Sequence, residues 1–262
     1  MPLWRGGRPL KRWRYVGVFA DDVLLCAGTV AVGPARQAFW AVWERGPRRL
    51  TERTRMVPLP AHVRLDEGSM RIDDGEVSAD ISLVEGGAVE TVVAHPVDGS
   101  GPGYVWTSKQ GGIPARGTVR VGARRHVIDA TAVVDDTAGY HARHTAWRWS
   151  AGVGGLADGT GVGWNLVTGV NDPPVNSERT VWVGSAPHEV GPVRFADDLS
   201  EIAFAEGGEL AFVAEAERAR TDRLLVISSR YRQPFGRFSG ELPGAGPLAW
   251  GLGVMEDHEA RW

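Results

Sequence analysis

Hydrophobic and polar positions alternate along much of the chain. Val77, Ala79, Ile81 and Leu83 alternate with Ser78, Asp80 and Ser82, a period of two that turns one face of a strand into a core. Val162, Trp164 and Leu166 oppose Gly161, Gly163 and Asn165 in a second run, and His141, Arg143, Thr145, Trp147 and Trp149 share one face of a third. Glycines and Asp-Gly or Asp-Asp steps separate such runs, so the pattern predicts short strands joined by tight turns. Residues 209–220 are rich in Ala, Glu and Arg, which by propensity alone is a helix. The alternation of Leu210, Phe212 and Ala214 favours a strand ending in a turn near Thr221-Asp222.

The pattern also repeats. Arg12-Trp13-Arg14-Tyr15 aligns with Ala146-Trp147-Arg148-Trp149, and each is followed by Gly-Val (Gly17-Val18, Gly152-Val153). Ala20-Asp21-Asp22 then aligns with Ala157-Asp158-Gly159, Lys109-Gln110-Gly111-Gly112 with the segment from Arg232-Gln233 to Gly236, and Val133-Val134-Asp135-Asp136 with Val254-Met255-Glu256-Asp257. Matches in one order at such long offsets indicate a duplicated domain, since solenoid units are much shorter. The expectation is an all-β chain of two antiparallel β-barrel or half-barrel domains, 1–134 and 135–262, packed together.

Composition narrows the function. The 262 residues carry a net charge of -3, so no basic surplus exists to neutralise nucleic-acid phosphates. Arg is plentiful and Lys nearly absent, and acidic residues balance the Arg clusters. The single cysteine, Cys26, excludes an internal disulfide and a Cys-based zinc site. It lies in the apolar run Val23–Ala27, which follows basic residues as a signal peptide would. Asp21 and Asp22 interrupt that approach, so a buried strand and a cytoplasmic protein are expected. No apolar stretch is long enough to span a bilayer.

The C-terminus carries the sharpest chemistry. Read as a strand, Leu252, Val254, Glu256, His258, Ala260 and Trp262 share a face. A carboxylate and an imidazole on an apolar face form a tuned acid/base couple or a satisfied pair that pins the chain end. Glu256 or Asp257 is the candidate acid and His258 its partner, pointing into the interior of the second barrel beside Trp147 and Trp149. Those two Trp are candidate walls of a ligand cavity or ordinary core. His144 belongs to the same cluster, but His141 and His144 are three apart, on opposite faces of a strand, so no metal site is expected. Asn165 and Glu178 are candidate orienting groups, and Trp262 a candidate ligand contact. The glycines around Lys109 and Gln233 mark tight bends or close backbone approach.

At these residues the sequence resembles a bacterial family, domain of unknown function 2804. The resemblance rests on Lys11–Tyr15, Trp147-Arg148-Trp149, Gly163–Leu166 with Asn176-Ser177-Glu178, Gln233–Gly240 and Glu256–Trp262. More distantly it is similar to the tandem lipocalin-like group of carotenoid 1,2-hydratase, tocopherol cyclase and AttH-like proteins. That similarity implies two lipocalin-like units, an apolar cavity and, in several members, cofactor-free addition or cyclisation on greasy substrates. The expected function is binding of a hydrophobic small molecule, with a lyase or isomerase activity or as a non-catalytic carrier, and with no cofactor.

Overall fold

The computed structural model describes residues 1–57, 62–95, 103–224 and 227–261. Among them there are strands and turns and no helix, hence no helix long and apolar enough to cross a membrane. A short ribbon, β1 (Trp4–Arg5) with β2 (Arg8–Pro9), precedes the first sheet. That sheet takes β3 (Lys11–Phe19), β4 (Val23–Val32), β5 (Ala35–Glu44), β6 (Arg49–Val57), β7 (Val63–Asp66), β8 (Ser69–Asp74), β9 (Val77–Leu83), β10 (Val89–His95), β11 (Gly103–Val121) and β12 (Arg124–Gly139). The second takes β13 (His144–Leu156), β14 (Gly161–Thr168), β15 (Thr180–Val183), β16 (Ala186–Glu189), β17 (Val193–Phe195), β18 (Glu201–Phe204), β19 (Glu209–Leu224), β20 (Ile227–Leu242) and β21 (Gly246–Arg261).

The two sheets have the same topology. The order is 6-5-4-3-12-11-9-8-7 in the first, with β10 also paired to β11, and 16-15-14-13-21-20-19-18-17 in the second. The hairpins of the repeat correspond: β3 turns into β4 at Ala20–Asp22, and β13 into β14 at Ala157–Thr160 with Gly159 in the left-handed region. The all-β half-barrel architecture is therefore what the pattern predicted, and the lipocalin-like units are what the resemblance implied. Residues 209–220 are strand, and β19 runs on past the turn expected at Thr221-Asp222. A division at 134/135 would cut β12. The sheets separate across residues 140–143, and we propose that the two units divide there.

Three apolar layers follow from which face of each strand is used. Val77, Ala79, Ile81 and Leu83 enter the core of the first sheet with Val16, Val18, Trp40 and Val42. Trp164, Leu166, Phe212, Phe238 and Met255 form the core of the second. A third layer lies between the sheets and takes Tyr15, Phe19, Leu24, Cys26, Trp149, Phe235, Leu252 and Val254. The central strands β3, β4, β13 and β21 are thus apolar on both faces, which is why Val23–Ala27 reads as an unbroken run. At one point the sheets touch backbone to backbone. A Cβ at Gly163 would stand 2.5 Å from the Gly112 nitrogen and 2.6 Å from the Gly111 carbonyl carbon, so only glycine fits. The glycines beside Lys109 therefore serve inter-sheet contact as well as the bulge between Gly111 and Ile113.

Candidate functional site

Strand pairing assembles the site at the middle layer. β21 lies against β13 with Glu256 opposite Trp149 and His258 opposite Trp147. β12 lies against β3 with Asp135 opposite Tyr15. The two central strands face each other: Trp13 stacks on Trp147 at 6.5 Å with 6° between planes, and Tyr15 meets Trp149 edge-on at 5.4 Å. Around these rings is a cavity of about 140 Å³, walled by residues of both sheets, among them Phe39, Val167, Tyr231, Lys109, Glu178, Glu256 and His258. The expected placement of Glu256 and His258 inside the second barrel is corrected. Their face of β21 carries Leu252 and Val254, which belong to the inter-sheet layer, while Met255 on the other face fills the second core.

Glu256 is buried and accepts hydrogen bonds on both oxygens, from Trp147 Nε1 to Oε1 at 2.8 Å and from Gln233 Nε2 to Oε2 at 2.9 Å. Burial pushes its carboxyl up to about 7, with Asp135 adding to the rise and the Trp147 and Gln233 bonds opposing it. His258 sits 4.2 Å from the Trp147 ring and shares a 2.8 Å hydrogen bond between its Nε2 and Ser229 Oγ. Its Nδ1 is 3.8 Å from Glu256 Oε1. Burial lowers the imidazole to about 3, so the ring is neutral. The phenols of Tyr15 and Tyr231 are held well above their ordinary range by burial.

Lys109 supplies the opposite chemistry. Its Nζ lies 2.5 Å from Asp135 and 3.5 Å from Glu178. Burial alone would lower the ammonium, but the two carboxylates outweigh it and keep it charged. Glu178 is the acid in excess: burial, then the charge of Asp135, push it up against the pull of Lys109. Glu178 also receives Asn171 Nδ2 at 3.5 Å.

A family model, Domain of unknown function (DUF2804), matches residues 61–262. The chain belongs to this family. A comparison with curated proteins gives no match. Among solved structures, an AttH-like protein from Nitrosomonas europaea matches with a TM-score of 0.62 and 11% identity, over 94% of this chain and 91% of that one. Kievitone hydratase from Nectria haematococca matches with a TM-score of 0.57 and 11% identity, over 96% and 88%. At this identity the likeness is one of fold.

In this DUF2804 chain the structure gathers Trp147, Trp149, Glu178, Glu256 and His258 around one cavity. Asn165 stands behind that wall: its Oδ1 accepts Trp149 Nε1 at 2.8 Å and its Nδ2 donates to the Glu178 carbonyl at 2.8 Å. Asp257 points away, because alternation on β21 puts it on the face opposite Glu256 and His258. His144 also lies off the cavity, exposed and hydrogen-bonded to Glu259 at 2.8 Å. Trp262 lies outside the described residues. The third expected face also changes, since residues 141–143 precede β13; His141 still lines the cavity, packed 4.9 Å from the Trp13 ring. Sequence reasoning missed Trp13, Tyr15, Asp135 and Tyr231 as cavity residues. The repeat held the signal for three of them, since it sets Trp13 and Tyr15 over Trp147 and Trp149, and Asp135 over Glu256. No group of His, Cys, Asp and Glu among the described residues is arranged to hold a metal.

Proposed function

We propose that this protein binds a hydrophobic small molecule between its two sheets and adds water across, or isomerises, a carbon–carbon double bond without a cofactor. One observation carries the reading: Glu256 is a buried acid with its carboxyl near 7, on the wall of an aromatic cavity. A carboxyl in that range is still partly protonated at neutral pH and can give its proton to an alkene. The cation so formed is stabilised by the faces of Trp13, Trp147 and Trp149. Water then adds to the cation, and the proton that it loses returns to the Glu256 carboxylate, leaving the acid ready for another turn. If the cation instead loses a neighbouring proton, the same groups accomplish isomerisation. Neutral His258, held by Ser229, orients the incoming water or accepts its proton in passing. The hydratase among proteins of this fold fits the same reaction class.

A carrier role is the second reading. It is favoured by the two hydrogen bonds that satisfy both Glu256 oxygens, as a purely structural carboxyl would be satisfied. Incubation with a panel of trisubstituted alkenes in ¹⁸O-labelled or deuterated water, read by mass spectrometry, decides between them. Incorporation that disappears in Glu256→Gln supports the enzyme. Binding of the same compounds, unchanged and without incorporation, supports the carrier.

A further inference from the structure

The inter-sheet cavity also has an electrostatic character, which is set by its charged wall. Lys109 and Asp135 lie 2.5 Å apart and cancel. Glu178 is the second carboxylate on the same ammonium, and Glu256 on the opposite wall adds a further negative charge once pH passes about 7. The other cations at this layer are already answered. Arg14 is paired with Asp136 and Glu85, and Arg218 donates to Glu52 at 2.7 Å. His258 contributes no charge. The wall therefore holds more acid than base, and every base is engaged.

One acceptor in the wall stands ready. Asn171 is buried, lines the cavity and is held by its left-handed backbone (φ 53°) after β14. Its amide nitrogen faces the Glu178 carboxylate, and this orientation leaves Oδ1 as the free side of the group. Oδ1 has no hydrogen-bond partner among the described residues. A buried carbonyl oxygen of this kind calls for a donor.

We infer that the cavity selects uncharged or cationic ligands that bear a hydrogen-bond donor, a hydroxyl or an amine, and rejects anions such as carboxylates. This inference rests on the apolar-ligand reading above and names the class of ligand. The ring-lined part takes the apolar body, and the donor reaches Asn171 Oδ1 or the Glu178 carboxylate. A carboxylate ligand would lose its water in a low-dielectric site, with acids across from it and no free cation among the described residues to meet it.

Four probes of one shape test this by titration calorimetry at pH 7.5: 2-methylnaphthalene, 2-naphthylmethanol, 2-naphthylmethylamine and 2-naphthoate. Indole N–H signals of Trp147 and Trp149 report whether binding is in this cavity. The alcohol is expected to bind more tightly than the hydrocarbon, and the amine at least as tightly as the alcohol. Naphthoate is expected to bind about tenfold more weakly than the alcohol, or worse. Glu178→Gln, checked for folding by a thermal melt, should narrow the gap between naphthoate and alcohol. Naphthoate binding as tightly as the alcohol, or an alcohol no better than the hydrocarbon, overturns the inference while leaving an apolar site in place. Failure of all four probes, the hydrocarbon included, removes the apolar-ligand reading as well.

Discussion

Trp13 and Trp147, equivalent positions of the internal repeat, stack on each other across the line between the two sheets. One strand further out, the repeat sets Asp135 beside Tyr15 and Glu256 beside Trp149. The two acids have different neighbours: Asp135 has the Lys109 ammonium and Glu256 the neutral Gln233 amide. Asp135 thus sits in an ion pair, whereas Glu256, buried beside a neutral amide, is raised far enough to hold a proton.

That contrast gives the first prediction. Gln233→Lys should place a cation on Glu256 and pull its carboxyl down by at least about one unit. The infrared carbonyl band of protonated carboxyls should be weaker in the variant than in the parent protein at pH 6, by at least about half of the Glu256 contribution. Any hydration activity should fall with it.

Glu256→Gln should keep the fold and lose the reaction. The amide preserves shape and removes the proton, so an activity loss of about 10²–10⁴-fold is expected. If the carboxyl is only structural, the variant should instead lose roughly 1–3 kcal/mol of stability. Denaturant melts beside the labelled-water assay separate these outcomes.

Glu256 and His258 should contribute to the pH dependence of stability with opposite signs. Glu256 is raised to about 7, so its contribution is full below its ordinary value and is lost as pH rises through about 7. His258 is lowered to about 3, so its contribution is full above its ordinary value and is lost as pH falls toward about 3. The two slopes oppose each other between about pH 4.5 and 6.5. Asp136, raised to about 6 by burial, adds to the Glu256 slope, so urea melts of the variants are read as differences from the parent protein. In Glu256→Gln, stability should fall on acidification. In His258→Asn it should fall on going to higher pH, by up to roughly 3 kcal/mol.

Lys109→Met should leave Asp135 and Glu178 buried without their cation and cost about 3–5 kcal/mol. Adding Asp135→Asn should restore part of that loss. A double variant no more stable than the single one would show that the pair does not act as a unit.

Gly163→Ala should force the sheets apart where they touch, because the new methyl would meet Gly111 and Gly112 backbone atoms that cannot turn aside. A loss of roughly 1–3 kcal/mol is expected. Trp182, whose ring packs on Gly111, should report it as a change in fluorescence.

Much of the fold was legible because outer strands such as β9 bury one face and so alternate cleanly. The same rule misplaced Glu256 and His258. Two-sided burial of β21 gives Met255 and Val254 equal claims to be inside, and sequence does not say which core each enters. The acid, the imidazole and the two Trp were readable as one in-phase set on paired strands. Lys109 was not, because its role depends on long-range pairing with Asp135 and on a turn residue, Glu178, from the other sheet. Asp257 shows the limit of reading neighbours together: one residue along a strand is the other side of the sheet.

The recurrence of one strand order in a single chain also bears on how such a site changes by mutation. In a symmetric dimer of one-sheet subunits, each substitution at the meeting strands would occur twice, so acid and anchor could not be separated. Here the two copies are inherited together but mutate separately. Lys109 can be kept on one side and Gln233 on the other, and the same ancestral position can serve one half in an ion pair and the other as an acid raised by burial.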